Sequence, residues 1–187
     1  MAIFMVRIGE AYLHDPTNLT TLLLLISEAV SLIVFILARR PFIQDHNAFY
    51  MALAIAASFL VPLFIQAPEN QAIAPKFLTF GLAIFGGLWT IFAKVSLGRS
   101  FGILAANRTV KIKGAYKFLR HPIYVGYFAM DIAFLLDHFV MVNFLILVTI
   151  SIMQVLRALR EEQVLSKDES YRSYCQATPY RFIYGVF

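Results

Sequence analysis

The sequence predicts an all-α, polytopic membrane protein with about five transmembrane helices, and three observations support this prediction. Hydrophobic residues make up 60% of the 187 residues, and only 14% are charged. The mean hydropathy is +0.72, so there is too little polar surface to enclose a soluble globule of this size. The apolar residues are also gathered into blocks, most of which approach the roughly 20 residues that a spanning helix needs.

Five apolar blocks follow one another along the chain. They run over Leu19–Ala38, Ala48–Gln66, Phe77–Val95, Pro122–Leu136 and Phe139–Leu156. The fourth block is short, and only Asp137 and His138 separate it from the fifth. We therefore expect these two blocks to form a tight helical hairpin. Pro62 lies inside the second block and is expected to kink that helix.

The amino-terminal segment lacks the pattern of a cleavable signal peptide. Residues 1–18 carry Arg7, Glu10, His14 and Asp15 and contain no long apolar core. We therefore expect the first block to remain in the protein as a span.

The distribution of Lys and Arg predicts which side of the membrane each connection faces. Cytoplasmic loops carry an excess of these residues, and an alternating path through five spans puts 14 of the 16 on one side. They are Arg39, Arg40, Lys94, Arg99, Arg108, Lys111, Lys113, Lys117, Arg120, Arg157, Arg160, Lys167, Arg172 and Arg181. The amino terminus is thus expected outside and the carboxyl terminus in the cytoplasm, whereas merging the last two blocks into one span would break this agreement.

Composition also disfavours several classes of function. Nucleic-acid binding would need aromatic residues interspersed among the basic residues of a soluble domain, a pattern that the basic side does not show, so it is not expected. The positive charge is better explained by membrane topology and by contact with anionic lipid headgroups. Cys175 is the only cysteine, which excludes an intramolecular disulfide and gives no metal-ligand spacing. We expect no metal site. Five spans cannot be divided into equal inverted halves, which disfavours a secondary transporter.

The connection between the third and fourth blocks is the most informative part of the chain. At about 25 residues it is long for a helical bundle, which indicates a functional loop or a re-entrant element. It ends in Arg120 and His121, directly before Pro122. A proline in the first helical turn leaves free N–H groups that favour an anion. Tyr124 and Gly126 follow, and a glycine there indicates either close approach to the backbone or, with equal weight, helix packing.

A charged cluster follows the fifth block and contains Arg157, Arg160, Glu161 and Glu162. Adjacent side chains on a helix differ by about 100°, so we expect one carboxylate to face inward and the other to face water. The alternative is a solvated helix end in which Arg157 and Glu161 form an i, i+4 pair worth only a few tenths of a kcal/mol.

Two ionisable residues lie within the apolar blocks. Glu28 is in the first block and Asp131 is in the fourth, and such residues are costly enough in lipid to be candidate site residues. Glu28 is also compatible with a protonated side chain or with a hydrogen bond to a neighbouring helix.

An ordered set of motifs runs through roughly the last ninety residues. The segment 114–127 has the sequence GAYKFLRHPIYVGY, and the segment 161–165, EEQVL, is followed by Tyr171, Tyr174 and Thr178-Pro179. In order and spacing these motifs resemble the isoprenylcysteine carboxyl methyltransferase family. The pieces 97–100 and 106–108 also resemble bacterial and archaeal members, which favours a bacterial or archaeal cell membrane over the endoplasmic reticulum.

The resemblance implies that the chain binds S-adenosylmethionine at the cytoplasmic surface, while a membrane lipid or lipophilic small molecule enters from the bilayer. It implies that Arg120 and His121 meet the cofactor's carboxylate, and that Glu161 or Glu162 takes the ribose hydroxyls or the amino group. The expected cofactor-binding set is Tyr116, Leu119, Arg120, His121, Pro122, Tyr124, Gly126, Glu161 and Glu162. The candidate substrate-binding set is Arg99, Asn107, Tyr171, Tyr174, Arg181 and Glu28.

Catalysis in this reading depends on positioning, because methyl transfer is an in-line displacement that needs no nucleophilic side chain. Tyr124, Tyr171 and Arg181 are the expected positioning residues. Residues 96–187 would form the methyltransferase core, and residues 1–95 would supply three supporting spans.

The chain departs from the family pattern in its tail. Ala177 and Ser170 stand where the prenylcysteine enzymes have an Arg and a Glu, and Arg181 and Glu169 are the nearby residues that would replace them. The acceptor therefore stays open among a carboxylate, an amine, a thiol and another lipid headgroup. The alternative functions are an NADPH-dependent sterol or steroid reductase and a non-catalytic scaffold or carrier, and the oligomeric state is left open.

Overall fold

The computed structural model describes residues 6, 9–10, 12–13, 19–38, 43–44, 47–60, 72–100, 106–107 and 110–186. Six α-helices account for most of them: α1 Leu19–Ile36, α2 Ala48–Leu60, α3 Lys76–Leu97, α4 Pro122–Asp137, α5 Met141–Leu165 and α6 Glu169–Ala177. Two short 3-10 turns cover Gly98–Ser100 and Gly114–Lys117. The predicted helical class is confirmed, and α1 to α5 fall on the five apolar blocks.

A pair of two-residue strands is the one departure from an all-α structure among the described residues. β1 (Ile43–Gln44) pairs antiparallel with β2 (Ala106–Asn107), with Ile43 opposite Asn107 and Gln44 opposite Ala106. The pairing satisfies main-chain N–H and C=O groups in two connections that the helices leave open. It joins the α1–α2 connection to the α3–α4 connection, and so short a ladder has no periodic signal in the sequence.

Two helices are long and apolar enough to cross a membrane, judged by length and composition within the described residues. They are the 25-residue stretches Lys76–Ser100 and Met141–Leu165, with mean hydropathies of 1.6 and 1.9. α1 contributes a shorter apolar segment, Leu25–Ile36. Five spans and their sidedness therefore stay predictions, and the predicted kink at Pro62 lies outside the described residues.

α5 continues nine residues beyond Leu156, where the fifth apolar block ends. The charged cluster of Arg157, Glu161 and Glu162 thus belongs to the helix itself. Hydropathy falls at Leu156, but charged residues with good helix propensity carry the helix onward.

Glycines bring α3 and α4 into close contact. A Cβ at Gly86 would lie 2.8 Å from the carbonyl oxygen of Gly126, and a Cβ at Gly126 would overlap the hydroxyl of Thr90. The indole Nε1 of Trp89 donates to the carbonyl of Pro122 at 2.9 Å. α3 therefore fixes the position of the first turn of α4, and α4 begins at Pro122 as the sequence predicted.

Lys94 is counted above among the basic residues of a cytoplasmic connection, but it lies inside α3 with a fully buried side chain. Its Nζ donates to Ser27 Oγ at 2.8 Å and to the Ser27 carbonyl at 3.2 Å. Glu28 Oε1 lies 3.9 Å away, and the ring of Tyr127 lies 5.2 Å from the ammonium. A buried charge needs such partners, so Lys94 ties α3 to α1.

The end of α1, the end of α3, the start of α2 and the late part of α5 lie at the same end of the bundle. Arg99 Nε donates to the carbonyl of Leu37, just after α1, at 3.0 Å. The guanidinium of Arg160, late in α5, lies 4.7 Å from the ring centroid of Tyr50, early in α2. α4 and α5 form the predicted hairpin, with residues 138–140 as its turn.

Candidate functional site

The entry into α4 is held by the segment that follows α6. The main-chain N–H of Arg120 donates to the carbonyl of Tyr180 at 2.9 Å, and that of His121 donates to the carbonyl of Arg181 at 3.0 Å. Arg120 also donates from Nη2 to the carbonyl of Pro179. Residues 178–182, here called the tail segment, therefore fix the main-chain positions of Arg120 and His121.

Glu162 lies at the centre of a cluster of cations. Its Oε1 accepts from Arg120 Nη1 at 3.0 Å and lies 3.2 Å from His121 Nε2. Its Oε2 accepts from Arg181 Nε at 3.0 Å. The side chain is only 12% exposed, so these charge-assisted bonds are shielded from water. Both carboxylate oxygens of Glu162 are thus engaged.

Glu161, one residue earlier, points to a different set of partners. Its Oε1 accepts from the Tyr124 hydroxyl at 2.9 Å and from Arg157 Nε at 3.1 Å. Its Oε2 lies 4.0 Å from His121 Nδ1, which is beyond hydrogen-bonding distance. His121 therefore sits between the two carboxylates, and Glu161 keeps one oxygen available for another donor.

Aromatic rings form one wall of this cluster. The His121 imidazole stacks on Phe182 with ring centroids 5.4 Å apart and planes inclined by 28°. Tyr124 contacts both rings, and the Arg157 guanidinium lies 5.7 Å from the Tyr124 centroid. Electron-rich ring faces attract cations, so the wall suits a positively charged group.

A second group of aromatic residues, three tyrosines, packs against the main chain that leads into the cluster. Tyr116, Tyr171 and Tyr174 are buried and pack together, and the Tyr174 hydroxyl donates to the carbonyls of Tyr116 at 2.8 Å and Leu119 at 3.3 Å. Burial raises the pKa of all three phenols well above its ordinary value, and the negative charge of Glu162 adds to the rise in the pKa of Tyr171. The three hydroxyls therefore stay protonated, and that of Tyr174 acts as a donor.

The cluster has unused hydrogen-bonding capacity. Arg120 Nε is buried and has no partner within the described part of the chain, so this guanidinium has a donor left for another acceptor. Among the described residues, the nearest cationic contact of Glu161 Oε2 is with His121 Nδ1 at 4.0 Å, which leaves this oxygen room to accept a hydrogen bond. A donor-rich face beside an acceptor suits a zwitterion, that is, a ligand with both a carboxylate and an ammonium group.

The predicted cofactor residues converge on this cluster with one exception. Arg120, His121, Tyr124, Glu161 and Glu162 contact one another, and Tyr116, Leu119 and Pro122 form the underlying turn. Gly126 instead faces α3, where its missing Cβ makes room for Thr90. The packing alternative is therefore what the contacts of Gly126 show.

The predicted substrate residues divide into two groups. Tyr171, Tyr174 and Arg181 lie in or beside the cluster. The remaining residues have other contacts: Arg99 bonds to Leu37, Glu28 lies near Lys94, and Asn107 belongs to β2. Their roles toward a substrate stay predictions.

Of the two residues named as tail replacements, only Arg181 reaches the cluster. Glu169 has a side chain that is 79% exposed and pairs with Arg172 one turn later in α6. Glu169 therefore does not take part in the cluster, whereas Arg181 contributes a cation to Glu162.

Three contributors to the site were not expected from the sequence. Trp89 bonds to Pro122, the Pro179 carbonyl accepts from Arg120, and Phe182 stacks on His121. Trp89 is the single tryptophan of the chain, which was the only signal that could have marked it. The other two act through a carbonyl and an apolar ring, and neither has a distinctive pattern.

The comparison with protein families agrees with this geometry. The model of the isoprenylcysteine carboxyl methyltransferase (ICMT) family matches residues 78–167, from early α3 to just past α5. No curated protein matches the chain. The described residues contain no group of three or more His, Cys, Asp or Glu side chains that could hold a metal ion.

Proposed function

We propose, from the match of residues 78–167 to this family model, that the chain transfers a methyl group from S-adenosylmethionine to a lipophilic acceptor that enters from the bilayer. The cluster around Glu162 is the observation that carries this proposal. It combines two guanidiniums, an imidazole, two carboxylates and an aromatic wall at one end of the helix bundle.

The cation face fits the cofactor's carboxylate. Arg120, His121 and Arg181 all point at one carboxylate, that of Glu162. Two guanidiniums and an imidazole surround the single charge of Glu162, and Arg120 Nε still lacks a partner among the described residues. An arriving carboxylate would therefore be bound by Arg120 without breaking its bond to Glu162.

The two glutamates have different roles in this proposal. Glu162 is occupied by cations and holds them in place. Glu161 Oε2 is the available acceptor, so Glu161 would take the ribose hydroxyls or the amino group. The sequence left Glu161 and Glu162 as alternatives for this role, and the contacts favour Glu161.

The bound cofactor would supply an electrophilic methyl group on a sulfonium. The chain's own part is to orient and to exclude water: Tyr124, held by Glu161, and Phe182, stacked on His121, would cover the cationic centre with aromatic faces. The rate of methyl transfer depends on near-attack geometry. The rigid positioning of these aromatic residues therefore matters more for the rate than any reactive side chain.

The expected lipophilic acceptor agrees with the surroundings of the cluster. The described helices expose many large apolar side chains to their outside, including Phe85, Phe92, Ile132, Phe144 and Ile152. Those on α3, α4 and α5 lie on the helices that also hold the cluster. No observation favours the reductase or the scaffold over methyl transfer.

Titration calorimetry of the purified protein in detergent tests cofactor binding. We expect saturable binding of S-adenosylmethionine, competition by S-adenosylhomocysteine and no competition by NADPH. Glu161→Gln should weaken binding about tenfold or more, since a hydrogen bond to a charged group contributes roughly 1.5–3 kcal/mol. An absence of binding at millimolar cofactor in a folded sample would refute the proposal.

Matched variants separate the site from general damage to the fold. Glu169→Gln removes the same kind of charge from an exposed position, and His138→Ala removes an imidazole from the opposite end of α4. Both should bind the cofactor like the parent protein, whereas His121→Ala should not. Equal losses in His121→Ala and His138→Ala would mean that the effect is structural.

A further inference from the structure

Two buried polar side chains lie on facing helices below the cluster. Asp131 in α4 is 7% exposed and Gln154 in α5 is 5% exposed. Asp131 Oδ2 and Gln154 Oε1 are both buried without a hydrogen-bond partner within the described part of the chain. A buried polar atom without a partner is costly, so each requires an explanation.

Helix geometry places the two side chains at the same level. Tyr124 bonds to Glu161 at 2.9 Å and so fixes which turns of α4 and α5 face each other. Asp131 follows Tyr124 by seven residues and Gln154 precedes Glu161 by seven, which is two turns, or about 10.5 Å, along each of two antiparallel helices. Both residues thus lie on the faces that already meet at the cluster.

The intervening and following layers confirm this register. Phe128, one turn below Tyr124, and Val155, the neighbour of Gln154, both pack in the apolar cluster around Tyr124. One turn beyond Asp131 and Gln154, Leu135 and Ile150 are buried. The two polar side chains are therefore enclosed between apolar layers.

The chemistry of the two atoms defines the ligand. A carboxyl oxygen and an amide oxygen both accept hydrogen bonds, and a cation beside the buried Asp131 would hold that carboxyl in its charged form. They complement a group with several donors and a positive charge, whereas a carboxylate would be repelled. Ile132, next to Asp131, is 41% exposed, so the outer apolar surface of α4 is one residue away.

We infer that Asp131 and Gln154 form a binding site for the primary ammonium group of a membrane-soluble amine, whose apolar chain lies against the outer surface of α4 and α5. The site goes beyond the methyl transfer proposed above and does not depend on it. It places a polar group two turns below the cofactor cluster, inside the part of the bundle that lipid surrounds.

Photolabelling in lipid nanodiscs tests this site. The nanodiscs contain phosphatidylcholine as the only lipid, and the probe is a long-chain primary alkylamine with a diazirine in its chain. We expect labelled peptides from α4 and α5, competition by the unlabelled alkylamine, and little competition by the fatty acid or alcohol of equal length. A fatty acid or alcohol that competes as well as the amine would overturn the assignment.

Substitutions of each acceptor have matched controls on the same two helices. Asp131→Asn should raise the amine concentration for half-maximal labelling about tenfold or more, and Gln154→Leu about fivefold, as expected for a charged and a neutral hydrogen bond. Asp137→Asn and Gln163→Leu alter the same residue types outside the site and should change nothing. Parent-like labelling of Asp131→Asn would refute the inference.

Cofactor binding is measured on the same nanodiscs, so the two proposals fail separately. If the parent protein shows amine labelling but does not bind S-adenosylmethionine, only the methyltransferase proposal is refuted. Unselective amine labelling with cofactor binding intact would sink only the Asp131–Gln154 site.

Discussion

Gly126→Ala measures how closely α3 and α4 are packed. The added Cβ would overlap the Thr90 hydroxyl and would lie 2.9 Å from the Gly86 carbonyl oxygen and 3.0 Å from the Thr90 nitrogen. The last two are main-chain atoms of α3 and cannot rotate away, so the helices must separate by several tenths of an ångström. Overpacking of this kind costs roughly 1–3 kcal/mol.

Gly81→Ala is the matched control for this substitution. Gly81 is also within α3 and is exposed, and a Cβ added there would meet no described atom within 4 Å. Replacing it should raise stability by up to about 1 kcal/mol, because alanine has the better helix propensity. The two variants should therefore differ by roughly 2–4 kcal/mol.

Cys175 gives a direct readout of this difference. It is the only cysteine and is partly buried, so a thiol-reactive dye should report unfolding in detergent. For a chain of this size 1 kcal/mol corresponds to about 2–4 °C, which predicts that Gly126→Ala melts roughly 4–16 °C below Gly81→Ala. Adding Thr90→Ala should recover part of the loss. Equal melting temperatures of the two glycine variants would refute the packing argument.

Three further substitutions test the polar contacts. Glu162→Gln leaves Arg120, His121 and Arg181 without their carboxylate and should lower the free energy of unfolding by roughly 3 kcal/mol. Glu169→Gln, at an exposed position, should change the free energy of unfolding by less than about 0.5 kcal/mol. Denaturant unfolding followed by circular dichroism compares the two variants. Lys94→Met leaves Glu28 without its buried cation and should destabilise by about 2 kcal/mol, and adding Glu28→Gln should restore much of this, so an additive double variant would contradict the ion pair. Tyr174→Phe removes one donor shared by two carbonyls and should cost about 1 kcal/mol; an unchanged transition would show that the bond contributes nothing.

The hairpin and its motif residues were predictable because their signals are local. Pro122 marks a helix start, and the turn after Asp137 separates two apolar blocks. The convergence of Arg120 and His121 on the glutamates of α5 followed from the family resemblance. The distribution of Lys and Arg along the sequence predicted that these residues lie at one end of the bundle. It did not predict that they contact one another.

Other features depend on partners far away in the chain, which no local pattern reveals. Lys94 looked like a loop cation because its partner, Ser27, lies 67 residues earlier. Gly126 was compatible with cofactor approach or with packing until the position of Thr90 was known. The choice between Glu161 and Glu162 depended on which of the two carboxylates was already occupied by cations.

The tail segment also has a consequence for biosynthesis. Arg120 and His121 bond through their main-chain N–H groups to Tyr180 and Arg181, which the ribosome adds only after α3, α4 and α5 have been made. A nascent chain that ends after α6 would have these helices but lack the strand of carbonyls and the Phe182 ring that complete the cluster. Under the proposed function, cofactor binding would therefore wait until translation has passed α6, so a partly synthesised chain would not compete for the methyl donor.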